Sequence, residues 1–138
     1  MADKNKLYPH LMPREIIIWE KWLELNQQRF ELYEYDIRVG ESIIPPPNID
    51  ANIAQMAVDL AKKRIDVLAS TAGQPTIIEI KDWAGLTAVG QLLSYPLLFA
   101  REFPEAPGPA VLLIATRLTP DIGFILDTYQ IPYELVTL

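Results

Sequence analysis

The sequence predicts an α/β domain with a mixed central sheet of about four to five strands flanked by helices. Two observations carry that prediction. Segments with helical apolar spacing alternate along the chain with short runs rich in β-branched and aromatic residues. The length of 138 residues, half of them apolar and 22% charged, suits one domain with a real core and is short for two.

Residues 1–8 read as a loose tail. Pro13 suits a first helical position, and a helix is expected to about Gln28, with Ile18, Trp19, Trp22, Leu23 and Leu25 on or near one broad apolar face. Glu15 projects near the middle of that face, while Glu20, Lys21 and Glu24 fall on the other. The stretch Phe30 to Val39, FELYEYDIRV, alternates in part and reads as a strand closed by Gly40. Pro45-Pro46-Pro47 makes a stiff extended connector, and Ile53, Met56, Ala57, Leu60 and Ala61 give helical spacing over about 50–62. Two strands follow, about Arg64–Ala69 and Thr76–Lys81, joined by the turn-rich segment STAGQP. A long apolar helix is expected over about Leu86–Phe103, with Pro96 inside it. The run at Ala110–Ala115 has the continuous apolar character of a strand buried on both faces. Thr119-Pro120-Asp121 reads as a helix start with a capping hydroxyl, and Tyr133–Thr137 as a final strand returning in parallel.

Composition narrows the chemistry. There are no cysteines, which removes disulfides, thiol catalysis and iron–sulfur ligation and fits a reducing, cytoplasmic setting. No apolar stretch reaches the length of a membrane span, and no apolar leader follows the first lysines. A single histidine, His10, falls near the expected tail without a visible partner, which leaves little for histidine-based metal clusters or triads. None of the six glycines forms a G-x-G-x-x-G phosphate loop. The net charge of −6 argues against broad electrostatic attraction to nucleic acid, although an acidic enzyme can carry its excess on metal ligands.

The expected hairpin gathers the polar chemistry. With its turn centred on Ala72-Gly73, Asp66 faces Glu79 and Arg64 faces Lys81. Glu79 and Lys81 share a strand face, while Ile65, Val67, Ile78 and Ile80 point to the other. Opposed carboxylates repel, and a divalent cation between them turns repulsion into coordination. A hairpin whose charges are simply solvated is the competing account.

Asp66, then Glu79-Ile80-Lys81 on the next strand, resembles the signature of the PD-(D/E)XK nuclease superfamily, whose fold is restriction-endonuclease-like. Gln91 and Tyr95 in GQLLSY resemble the Gln-x-x-x-Tyr motif of its RecB-like branch. Ile65 stands where that pattern often has proline. The resemblance implies that Asp66, Glu79 and the Ile80 carbonyl bind Mg²⁺ or Mn²⁺, that Lys81 assists the attacking water, and that Gln91 positions substrate phosphate or the lysine. Glu15 and Tyr95 are further candidates. Glu15 in the first helical turn also suits the helix dipole, and Tyr95 also suits plain burial with its hydroxyl bonded. Asp82 is expected to point away from the site. The basic run Lys62-Lys63-Arg64 is a candidate phosphate contact or a solvated helix end.

The expected function is therefore hydrolysis of DNA phosphodiester bonds, with nucleic acid as partner. The alternative is a non-catalytic nuclease-fold module for binding or assembly in a phage or mobile element. Action on both strands of a duplex would favour a homodimer or larger homo-oligomer.

Overall fold

Five strands line up in one sheet in chain order, so every neighbour in sequence is a neighbour in space. The structure is a computed structural model and describes residues 7–8, 10–42, 44–45, 47–61 and 63–138. The elements are α1 (Pro13–Asn26), β1 (Leu32–Val39), α2 (Ala51–Ala61), β2 (Lys63–Thr71), β3 (Gln74–Ala84), α3 (Leu86–Glu102), β4 (Ala110–Leu118), α4 (Ile122–Thr128) and β5 (Tyr133–Leu135). β1, β2 and β3 pair antiparallel, and β3, β4 and β5 pair parallel. The mixed sheet with flanking helices is the architecture expected from the sequence.

Helices cover both faces. Ile18, Trp19 and Trp22 of α1 pack on Val67, Ala69, Ile78, Ile80, Leu112 and Ile114. Trp19 and Trp22 stack with ring centroids 5.2 Å apart, and their indole N–H groups donate to Tyr35 Oη and Glu134 Oε1. Both are core residues, as their spacing predicted. Against the other face, α3 and α4 bring Val89, Leu92, Ile122 and Leu126 onto Leu113 and Ala115, while Tyr95 and Phe99 meet Val39, Ile65 and Ile77. Two-sided cover explains why β4 reads as an unbroken apolar run.

Several expectations are corrected. The hairpin keeps the expected register about Ala72-Gly73, but its strands run on to a two-residue turn in place of the loop STAGQP: Thr71 pairs with Gln74, and Ala72 (φ 50°) and Gly73 (φ 79°) both take left-handed backbone. That backbone matches the right-handed twist of the strands it joins, and glycine adopts it freely. The residues around α4 also differ. Thr119 accepts a backbone bond from Ile122 through its carbonyl, and the helix starts after Asp121 (φ 71°) with no side-chain cap. The expected tail ends early, since Tyr8 is buried against Tyr35; residues 1–6 lie outside the described residues. Pro46 and Lys62 also lie outside them.

Ile65 departs from its expected face. Val67 and Ala69 face α1, yet Ile65 packs with Tyr95 and Phe99 on the α3 side. β1 makes the same switch, with Tyr33 and Tyr35 packed on the α1 cluster and Ile37 and Val39 in the α3 cluster. The cause lies between them. Asp36 sits mid-strand at φ 56°, and the β1–β2 ladder runs through Tyr35↔Val67 and Ile37↔Ile65 with no pair at Asp36. A left-handed residue inside a strand interrupts the alternation that the sequence argument assumed.

Candidate metal centre

The ladder between β2 and β3 ends at Val67↔Ile78, one residue short of the acidic pair. Beyond it, carboxylates replace carbonyls as acceptors. The Asp66 N–H donates to Glu79 Oε1 at 3.3 Å, and the Ile80 N–H donates to Asp66 Oδ2 at 2.9 Å. β2 stays paired with β1 as far as Val39↔Lys63, while β3 stays paired with β4 as far as Ala84↔Leu118. The sheet thus forks between β2 and β3. Asp66 and Glu79 stand at the base of the fork, 8% and 0% exposed.

Electrostatics follow from that burial. Glu79 has its pKa raised well above the ordinary 4.5, first by burial, then by the Asp66 charge and a hydrogen bond with the Asp66 carboxyl; Lys81 opposes the shift. Like charges this close in a dry site favour one shared proton or one cation. Glu79 Oε2 is buried without a hydrogen-bond partner. Lys81 is half-buried, and no carboxylate lies within ion-pair distance of it among the described residues.

The flanking helices bring the other expected residues in. Glu15 does two things at once. Its Oε1 accepts the Met12 N–H at 3.0 Å, which ties down the start of α1. Burial raises its pKa; the Met12 bond opposes that, the Asp66 charge adds to it, and Lys81 and His10 oppose it, so the carboxyl lies within the field of the fork. On α3, Gln91 Nε2 donates to Tyr95 Oη at 3.1 Å, and Gln91 Oε1 is buried without a partner. Burial raises the pKa of Tyr95; the Gln91 bond opposes this, and the charges of Glu79 and Asp66 add to it. Tyr95 is thus buried with its hydroxyl bonded to Gln91, as the plain-burial account expected, and the two carboxylates are close enough to bear on its titration.

His10 is the residue that sequence reasoning missed. Its side chain is 5% exposed, with Nε2 at 3.1 Å from Asp66 Oδ1 and Nδ1 at 3.9 Å from Asp36 Oδ1. These are ion-pair distances off the line of a hydrogen bond, and both ring nitrogens lack a bonded partner. The apolar residues around it, Tyr8 and Leu11, were the available signal, since both are core residues. Asp36 extends the group. Burial pushes its carboxyl up, but the 2.6 Å bond from Arg64 Nε and that guanidinium's charge outweigh burial and hold it below the usual range. Arg64 consequently does not face Lys81. It lies across from Arg38 on β1 and is committed to Asp36 instead of to a phosphate. Asp82 points away from the site as expected, with Thr116 Oγ1 2.5 Å from its Oδ1 and Arg14 Nε 3.1 Å from its Oδ2.

Among the described residues, no three His, Cys, Asp or Glu side chains gather as a ligand cluster. The donor set is therefore two carboxylates, one of them carrying a buried, unpartnered oxygen. An all-oxygen pair of this kind fits Mg²⁺ or Mn²⁺, which keep several waters in their shell.

No protein-family model matches the sequence, and no curated protein does. Two solved structures are similar. One is a chain described as "Structure of EndoMS-dsDNA2 complex", with TM-score 0.49 and 17% identity over 87% of this chain and 43% of that one. The other is "Crystal Structure of Protein of Unknown Function AF1548", with TM-score 0.52 and 12% identity over 84% of this chain and 55% of that one. The likeness is one of fold. This chain spans about half the length of either structure. Its own architecture, a mixed sheet with helices on both faces, is the one that the restriction-endonuclease-like resemblance implied.

Proposed function

We propose that the chain is a metal-dependent nuclease that hydrolyses phosphodiester bonds of DNA. One observation carries the reading: two buried carboxylates, Asp66 and Glu79, meet at a fork in the sheet beside Lys81, an amine without an ion-pair partner among the described residues. Asp66 and Glu79, with the Ile80 carbonyl, would hold Mg²⁺ or Mn²⁺. When bound, such an ion would polarise the phosphate and favour hydroxide over water. Lys81 lies two residues from Glu79, on the same face of β3 by alternation, and is placed to hold the attacking water or to offset charge developing on the phosphate. Gln91 carries a free carbonyl oxygen beside Tyr95, which suits it to orient Lys81 or a bound water. The Gln91–Tyr95 pair also supports placement in the RecB-like branch. Glu15 would add negative potential from the start of α1.

A second reading has an observation of its own. Asp66 and Glu79 already accept backbone N–H bonds, and no third acidic ligand joins them among the described residues. Both facts suit a nuclease fold kept as a non-catalytic binding or assembly module of a phage or mobile element. A cleavage panel separates the two readings: supercoiled, linear duplex and single-stranded DNA with Mg²⁺ or Mn²⁺, using wild type and Lys81→Ala. Metal-dependent cutting that is lost in Lys81→Ala supports the nuclease. A wild type inert on every substrate with both metals leaves the module.

A further inference from the structure

Beyond Lys81, β3 carries a feature that the catalytic reading does not use. Trp83 is 57% exposed, whereas Trp19 and Trp22 are 0% and 2% exposed. Trp83 pairs in register with Arg117 of β4, whose guanidinium lies 4.4 Å from the ring centroid. One face of the indole is thus covered by a cation, yet more than half of the residue stays open. Arg117 has no carboxylate within ion-pair distance among the described residues. Trp83 and Arg117 lie in an open groove of about 370 Å³ whose other walls include Arg14, Asp82 and Thr116. In a chain of net charge −6, an exposed aromatic ring stacked on an arginine that no carboxylate pairs makes a local exception.

We propose that this surface is a subsite for one unpaired nucleotide of a nucleic-acid substrate, its base stacked on Trp83 and its phosphate facing Arg117. A base accepts a flat aromatic partner only when unstacked, so the feature selects single-stranded, flapped or frayed substrate over continuous duplex. The inference rests on the nuclease reading for the identity of the substrate class, and its test is a binding measurement that involves no cleavage.

Because Trp19 and Trp22 are buried, quenching of intrinsic fluorescence by added oligonucleotide reports on Trp83. A short oligo-dT is titrated in chelator, with a blunt duplex as comparison, into wild type, Trp83→Phe, Trp83→Ala and Arg117→Ala, each checked for an unchanged melting temperature. The expected result is saturable quenching by the single strand that exceeds quenching by the duplex. Affinity, followed by anisotropy of a labelled strand, should fall about 5- to 100-fold in Trp83→Ala, as for one stacked base, and much less in Trp83→Phe. Arg117→Ala should flatten the salt dependence by about one ion. Unchanged affinity in Trp83→Ala overturns the subsite, even if Lys81-dependent cleavage persists and the nuclease reading stands. Conversely, stacking on Trp83 without any cleavage keeps the subsite and removes the catalyst. Quenching that grows with protein concentration alone, with dimer mass in sedimentation, assigns the surface to self-association and also overturns it.

Discussion

Burial beside Asp66 gives Glu79 a higher proton affinity in the folded chain than in the unfolded one. For a group shifted in that direction, the stabilisation is complete below the unfolded value, near 4.5, and is lost as pH rises through the folded value. The metal-free protein should therefore melt at a lower temperature at pH 8 than at pH 5.5. Glu79→Gln, neutral at every pH, should flatten that slope; an unaltered slope would assign it elsewhere. Asp36 acts with the opposite sign and in acid, since a depressed carboxyl loses its contribution as pH falls below about 3.8. Lys81 is a separate case. With no ion-pair partner among the described residues, Lys81→Ala should still melt in one cooperative transition, while nicking of supercoiled DNA should fall by about 10²-fold or more. Asp66, Glu79 and Lys81 were legible in the sequence because Ala72-Gly73 sets the pairing of their strands. His10 and Asp36 were not, because their contacts join segments that no local pattern links.

Elements explain where sequence reasoning stopped short. Alternation in a strand is a reliable guide only while the backbone stays extended, and Asp36 at φ 56° is where it fails. One left-handed residue sends Tyr33 and Tyr35 to one layer and Ile37 and Val39 to the other, and Ile65 on β2 follows its neighbour. The hairpin turn offers a simpler test of the same physics. Ala72 holds φ 50° at a cost of about 1–2 kcal/mol for an L-residue with a Cβ. Ala72→Asn, next to Gly73, supplies the pair such turns prefer and should raise the melting temperature by a few degrees in calorimetry. A neutral or lower value would show that the turn is held by its strands rather than by its own backbone. The start of α4 was misplaced for a similar reason: Thr119 carries a capping hydroxyl, but the backbone uses its carbonyl for a turn first.

For the whole molecule, charge sets the terms of any encounter with nucleic acid. Twelve basic residues stand against eighteen acidic ones, and Arg14, Arg29, Arg38 and Arg64 are held by carboxylates within the fold. Those four are taken up inside the fold and are poorly placed to displace counterions. The logarithm of affinity for single-stranded DNA should then fall with the logarithm of salt at a slope of only about −1 to −2, as expected for two or three phosphate contacts. A much steeper slope would mean that a larger basic surface takes part. Divalent metal should matter more than salt. Mn²⁺ at a hundred times its Kd should add about 2.7 kcal/mol of stability in wild type, with the increment absent from Glu79→Gln. The layered architecture was legible because the helical and strand periods are strong over long segments; the fork that holds the site was not, since it depends on where pairing ends.

That fork has a consequence for mutagenesis. In an ordinary sheet, deleting a carboxylate removes chemistry and leaves the scaffold alone. In this one, Asp66→Ala or Glu79→Ala would each strand a main-chain amide inside the protein, so lost activity and lost folding would arrive together. Asparagine and glutamine keep an acceptor oxygen for those amides while discarding the charge, which makes isosteric amides the informative replacements.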